Sequence, residues 1–145
     1  MSTIAVKKLR ENAALPTYGS AEAAGADLYA CLDENVSIAP GQTLLVPTGI
    51  ALEVPKGCAG LIYARSSMGV KRGLAPANKV GVIDSDYRGE IMVALHNHGA
   101  SPQEIAPGER IAQLLITPVL TPQYEQVDEL SDTARGAGGF GSTGK

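Results

Sequence analysis

Tryptophan is absent from this 145-residue chain, and phenylalanine occurs once, at Phe140. Cysteine is nearly absent too. Cys31 and Cys58 lie far apart with no Cys-x-x-Cys spacing, so they are expected as buried free thiols in a reducing compartment, although a pairing is open in principle. No apolar run approaches the roughly 18 residues of a membrane span. The first residues, MSTIAVKKLRENAAL, carry no long apolar stretch of the kind a secretory signal needs. Basic charge is also short, with 12 Lys and Arg against 15 Asp and Glu, a net −3. A general grip on nucleic acid or a membrane surface needs the opposite balance, so no stable nucleic-acid partner and no membrane are expected. The expectation is a soluble protein of the cytoplasm or nucleus. Local arginines and backbone N–H groups still suffice for a small anion. Histidine occurs twice, in HisAsnHis (96–98), and no cysteine or further histidine completes a zinc site there. Helix signals are scarce: a short turn near residues 66–69 and another around 125–132.

Short apolar runs punctuated by Gly, Pro, Asn and Asp are abundant. Strands are expected over 4–9, 27–32, 36–38, 43–46, 50–54, 60–64, 80–83, 90–97 and 111–118. AlaProGlyGln (39–42), ValProLysGly (54–57) and AlaProGlyGlu (106–109) are turn signals, with proline presetting φ and glycine taking the strained position. Many short strands joined by such turns predict an all-β barrel or sandwich in one domain. A chain this long buries about 70% of its unfolded surface, enough for a core without staples.

Four segments have the chemistry of a site. In GlyValIleAspSerAspTyrArgGlyGlu (81–90) an apolar strand ends at Asp84, where a carboxylate can hold a water, and Tyr87 offers a flat face to a ring or sugar. Read blandly, the same segment is a β-hairpin with acids in its turn. AlaArgSerSerMetGly (64–69) follows a strand directly: Arg65 supplies a fork of donors, and Ser66 and Ser67 suit a short helix N-terminus that favours anions. AlaGlyAlaAspLeuTyrAla (24–30) places Asp27 at a strand start behind Gly25, which permits close backbone approach. The glycine-rich residues 135–145 form the fourth segment. Glycine this dense is too costly in chain entropy for a buried strand. Successive Gly N–H groups, Arg135, Ser142 and Thr143 can nest an anion. An incidental mobile tail gains nothing from Phe140, so the segment reads as a flap that orders over a ligand ring. Residues 139–145 match GxxxxGK, but a phosphate-binding P-loop also needs a Ser or Thr after the lysine, a strand before and a helix after. The match is expected to be spurious.

Taken in order, these segments together with GlyGluArgIleAlaGlnLeu (108–114) resemble the five motifs of the homotrimeric dUTPases, from about Val6 to Gly144. The second motif departs slightly, with Ser67 where many members carry Gly and Ala64 where many carry Pro. The resemblance implies a jelly-roll-like β-barrel over residues 1–124 and a C-terminal arm, 125–145, that completes a neighbouring subunit's active site. It implies hydrolysis of dUTP to dUMP and pyrophosphate with Mg²⁺, in a trimer whose sites are shared between chains. Carried onto this sequence, Asp84 would orient and help deprotonate the attacking water, and Asp27 would hold Mg²⁺ through water. Ser66 and Gln113 would contact the phosphate chain, with Ser67 and Gly69 beside them and Arg65 tying the site's carboxylates in place. Asn78 and the backbone of Gly81, Val82, Ile83 and Asp84 would read uracil, and Tyr87 would pack under the deoxyribose. Arg135, Gly141, Ser142 and Thr143 would bind the terminal phosphate, with Phe140 stacked over uracil. Two rivals share the fold. A dCTP deaminase would need a glutamate placed at the ring, whereas this chain has Asp84 and Tyr87 in the hydrolase arrangement. A non-catalytic module could dispense with Asp84 or the arm, and both are present.

Overall fold

Three Pro–Gly connectors reverse the chain as their chemistry requires: Gly41, Gly57 and Gly108 take φ of 75°, 81° and 74°, the left-handed region open to glycine. Between them, in a computed structural model that describes residues 3–144, runs a succession of short strands. They are β1 (Val6–Lys8), β2 (Thr17–Tyr18), β3 (Ala26–Tyr29), β4 (Val36–Ile38), β5 (Thr43–Pro47), β6 (Ile50–Leu52), β7 (Cys58–Tyr63), β8 (Leu74–Pro76), β9 (Gly81–Ile83), β10 (Met92–Asn97), β11 (Gln103–Ile105) and β12 (Arg110–Pro118). The one helical element among the described residues is a π-helical turn, Ser67–Lys71, between β7 and β8. Lys145, the end of the GxxxxGK string, lies outside the described residues.

The strands form an all-β, jelly-roll-like barrel. Its largest sheet has the order β2-β3-β12-β7-β9, faced by β5-β10-β8, with the pairs β1-β6 and β11-β4 closing the sides. All pairings are antiparallel. Alternation decides which side chains enter: in β10, Val93, Leu95 and Asn97 point inward while Met92, Ala94 and His96 are half-covered. The fully buried set is aliphatic, including Leu28, Ile38, Ile50, Leu74, Ile91, Leu95, Ile105 and Ile111. The rings are kept outside it: Tyr18, Tyr63, Tyr87, Tyr124 and Phe140 are all exposed.

Thr48 and Asn97 are the polar side chains fully buried among the described residues, and Asn97 makes the more bonds. Its Nδ2 donates to the carbonyls of Ile38 (2.8 Å) and Ser101 (2.9 Å), and its Oδ1 accepts the Gly99 N–H at 2.9 Å. One side chain thus ties the end of β4 to the turn that follows β10 and gives the buried Ile38 carbonyl a donor.

Each of the nine expected strands overlaps an observed one. The unanticipated strands β2, β8 and β11 all lie at sheet edges. Such strands owe their form to the neighbour they pair with rather than to apolar alternation. Pro76 closes β8, where an edge tolerates a missing donor. The turn expected around 125–132 does not form; β12 ends at Pro118 and, among the described residues, no strand follows it. Cys58 also departs from expectation. Cys31 is buried, with its thiol donating to Asn12 Oδ1 at 3.2 Å, whereas Cys58 is half-buried at the start of β7. Both thiols are free.

Replacing Asn97 by Leu should cost about 1–3 kcal/mol, because the buried Ile38 carbonyl loses this donor and the turn at Gly99 and Ser101 loses its tie to the core. Urea denaturation at a fixed protein concentration measures this, and an unchanged midpoint would contradict it.

Candidate active site

Strand β9 is the last of its sheet and bonds to β7 alone, so its outer edge keeps free backbone donors and acceptors. The chain enters it through a tight reversal. Ala77 N–H bonds to Ala94 O (2.7 Å), Lys79 N–H to Pro76 O (3.0 Å), and Lys79 takes φ of 67°. Residues 78–84 do not form a hairpin: β8 pairs with β10 and β9 with β7, so the segment bridges two sheets. Nor is 81–90 a hairpin, since β10 pairs with β5 and β8. What the segment forms instead is the wall of a pocket of about 200 Å³, lined by Asn78, Gly81, Val82, Ile83, Asp84 and Tyr87, with Ile62, Glu90, Ile91 and Met92. A Cβ on Gly81 would stand 3.2 Å from Ile62 Cβ and 3.4 Å from Asn78 Nδ2, so a larger residue would crowd the amide. Asp84 is exposed at the strand end, and no hydrogen bond or ion pair engages its carboxylate among the described residues. The Tyr87 hydroxyl donates to Glu90 O at 2.9 Å. Nearby, partial desolvation, and then the charges of Lys79 and His96, hold the His98 pKa below the usual imidazole value.

A second group lies across the same sheet. Gln113 on β12 stands opposite Asp27 on β3 and opposite Tyr63 on β7, and side chains directly opposite in antiparallel strands share a face. Arg65 Nε donates to Asp27 Oδ1 at 2.8 Å, and Arg110 Nη1 to Asp27 Oδ2 at 3.3 Å. Gln113 Nε2 donates to Ala64 O at 2.9 Å. Gly25 is needed for that amide: a Cβ there would stand 2.6 Å from Gln113 Oε1. Ser66 and Ser67 do not cap the helical turn as expected. Ser66 has helical φ and ψ and makes no capping bond, which leaves its exposed hydroxyl free, while Ser67 Oγ accepts from Arg65 Nη1 at 3.2 Å. Gly69 sits inside the turn, its N–H on Arg65 O at 2.9 Å.

Both oxygens of Asp27 are engaged by guanidinium groups, so the carboxylate is held in a fixed orientation. No group of three or more His, Cys, Asp or Glu able to hold a metal occurs among the described residues. An oxygen-only site with a single carboxylate fits a hydrated cation that takes its remaining ligands from water and phosphate, which is the habit of Mg²⁺.

The structure brings Asn78, Gly81, Val82, Ile83, Asp84 and Tyr87 together, and separately Asp27, Arg65, Ser67 and Gln113, with Ser66 and Gly69 alongside. Asp27 on β3 is three strand steps from β9, roughly 14 Å, whereas Arg65 and Ser66 follow β7, the strand to which β9 is bonded. The arm meets neither group. The bonds of Arg135, Gly136, Gly138, Ser142 and Gly144 close small turns within residues 133–144, and Phe140, at φ 51°, is fully exposed. Arg110, Arg72 and Glu90 were missed from the sequence. Arg72 donates to Gln103 Oε1 (3.1 Å), the Glu104 carbonyl and the Glu109 carboxylate, tying the end of the helical turn to β11 and to the loop before β12. Charge and spacing gave no sign of these pairings, whose members are 31 to 83 residues apart.

Against known proteins, the dUTPase family model matches residues 11–144. The deoxyuridine 5'-triphosphate nucleotidohydrolase of Acinetobacter baumannii is 52% identical over 132 residues, covering 90% of this chain and 88% of that protein. The protein of the same name from Desulfitobacterium hafniense is 51% identical over 131 residues, 90% of this chain and 87% of its own. Among solved structures, a Staphylococcus bacteriophage 80alpha dUTPase with dUpNHpp superposes with a TM-score of 0.91 at 29% identity, over 100% of both chains. A dUTPase from phage phi11 of S. aureus, described with a structural Mg(II) ion, gives a TM-score of 0.82 at 26% identity over 90% of this chain and 100% of its own. A family match across nearly the whole chain, half-identical relatives and a barrel shared end to end agree, and the chain belongs to the dUTPase family.

Proposed function

We propose that this protein is a dUTP diphosphatase, hydrolysing dUTP to dUMP and pyrophosphate with Mg²⁺, and that its role is to limit uracil entry into DNA and to supply dUMP for thymidylate synthesis. The observation that carries this reading is the pocket on the free edge of β9, with Asp84 at one end and Tyr87 in its wall. A pyrimidine fits a space of that size, and an unpaired strand edge offers the fixed donors and acceptors a ring edge requires. Asn78 and the backbone of Gly81–Ile83 read uracil in this scheme. A cytosine edge would leave buried groups unpaired, which costs far more than a missing apolar contact. Tyr87 forms the floor under the deoxyribose and leaves no room for a 2′-hydroxyl.

The free carboxylate of Asp84 suits a base. It orients a water for in-line attack on the α-phosphorus and takes up its proton. The new P–O bond forms as the bond to the bridging oxygen of the β-phosphate breaks, and pyrophosphate leaves. Positioning and electrostatics supply most of the acceleration in phosphoryl transfer. Ser66 and Gln113 contact the phosphate chain, Ser67 and Gly69 shape the turn beside them, and Arg65 holds Asp27 in place. Asp27 would hold Mg²⁺ through its waters, where the ion neutralises charge on the phosphate oxygens.

The roughly 14 Å between β3, which carries Asp27, and β9 supports a site shared between copies of the chain, here a homotrimer. A cleft of about 670 Å³ lined by Ile4, Val6, Leu15, Tyr18, Leu114 and Ile116 leaves apolar surface for such a contact. Leu120, Tyr124 and Leu130 stand exposed beyond β12. Residues 125–145 then act as an arm over a neighbour's ligand: Phe140 on the ring, Arg135, Gly141, Ser142 and Thr143 on the terminal phosphate. A closing arm excludes water and completes the donor set only around the correct substrate.

With Mg²⁺, pyrophosphate release from dUTP should exceed that from dCTP, dTTP or UTP by about 100-fold or more; comparable turnover of all four would remove the pocket from its assigned task. Asp84→Asn should lower kcat about 1,000-fold while dUTP still binds, as removal of a general base does. Full activity in that variant would assign the proton to another group. Light scattering should give close to three times 15.0 kDa, a monomer being incompatible with shared sites. Deleting residues 135–145 should leave the assembly intact and reduce kcat/KM about 100-fold or more, as loss of phosphate donors does.

A further inference from the structure

Tyr87 stands in an exposed turn, where a ring with two free torsions ordinarily occupies several rotamers. Three features restrict it. Its hydroxyl donates to the Glu90 carbonyl at 2.9 Å. Glu90 is itself fastened to the barrel, its Oε1 accepting the Gly49 N–H (2.8 Å) and Arg10 Nη2 (3.0 Å), and Arg10 Nη1 reaching Cys31 O at 3.0 Å. The third is Gly89. The Tyr87 ring occupies the space that a side chain at this position would fill: a Cβ there would stand 2.6 Å from Tyr87 Cζ and 2.9 Å from Cε2.

The backbone does not explain this glycine. Gly89 is not among the positive-φ glycines, so an L residue can adopt its conformation. Gly49 is the contrast, with φ of 70° and a Cβ position blocked by Cys31 Sγ at 2.6 Å and Ala13 Cβ at 2.8 Å. At Gly89 the nearest obstruction is the far end of one movable side chain, and that side chain lines the pocket.

We propose that Gly89 is a positioning residue for sugar discrimination: by presenting no side chain, it sets the height at which the Tyr87 ring lies and so the depth of the pocket beneath a 2′-deoxyribose. The proposal rests on the sugar-floor role of Tyr87 given above. A methyl group at residue 89 lifts the ring off its shelf and breaks its bond to Glu90 O, while the barrel beneath is untouched.

The test compares kcat/KM for dUTP and UTP in the wild type, Gly89→Ala, Tyr87→Ala and the double variant, with thermal melting of each. Gly89→Ala should lower the dUTP-to-UTP ratio about 10-fold, mainly through KM for dUTP, with melting nearly unchanged. The double variant should match Tyr87→Ala, because without the ring the added methyl meets nothing. A wild-type ratio in Gly89→Ala, or a further loss in the double variant, would overturn the proposal and leave the role of Tyr87 standing. A wild-type ratio in Tyr87→Ala would overturn the sugar-floor reading itself, and the proposal with it. Should Gly89→Ala melt early, Tyr87→Phe decides. It keeps ring and shelf and removes only the hydroxyl, so a smaller loss than in Tyr87→Ala supports the shelf, and an equal loss assigns the positioning to the hydroxyl.

Discussion

β12 bonds to β3 on one side and β7 on the other, and one extra residue, Ile111, decides how it does so. Arg110 pairs with Tyr29 and Ala112 with Leu28, so two steps along β12 match one along β3. Such a bulge shifts everything beyond it by one position. Without it, Gln113 would face Ala26 and the apolar face of β12 would turn outward. With it, Leu114 enters the core beside Ile62 and Ala26, while Gln113 stands in one row with Asp27 and Tyr63 on the outer face. Burial of Ile111 and Ala112, both fully enclosed, holds the bulge in place. The polar row is therefore a consequence of core packing, and its geometry is as firm as the core.

Around that row, charge does the positioning. Arg65 and Arg110 take one oxygen each of Asp27, a carboxylate whose side chain is only 13% exposed. A partly buried carboxylate with two guanidinium partners is held in one orientation, which a lone surface pair would not achieve. Arg72 plays the corresponding part at the other end of the helical turn, linking it to Gln103, Glu104 and Glu109. The segment bearing Ser66 and Ser67 is thus tied at both ends, and the free Ser66 hydroxyl sits between the ties.

The pocket on β9 is built on a different logic. Its wall is a sheet edge, which a barrel normally covers or blunts because unpaired backbone invites another chain. Here the edge is short, and Asp84 and Tyr87 follow it directly. Tyr87 is fixed through Glu90 to Arg10 and the Gly49 turn, distant in sequence but adjacent across the barrel mouth. Asp27 on β3 and the pocket on β9 are thus mounted three strands apart on one sheet.

Much of this was legible in the chain itself. Alternating aliphatic runs and Pro–Gly turns dictate an all-β barrel, because period-two burial and φ-restricted reversals are local properties. The five motifs identify the family, since Asp27, Arg65, Asp84, Tyr87, Gln113 and Phe140 are side chains whose chemistry is visible as letters. Edge strands β2, β8 and β11 were not legible: pairing with a neighbour, not composition, makes them strands. Nor were the partners of Asp27, the tie from Tyr87 to Arg10, the bridging course of 78–84 between two sheets, or the distance from β3 to β9. Each depends on which residues meet after folding, and contacts between positions tens of residues apart leave no periodic mark. The sequence by itself determined the kind of fold and the chemical groups available. Only the tertiary structure decided which of those groups face one another, because the register of a strand in a sheet is set by the packing of its buried face.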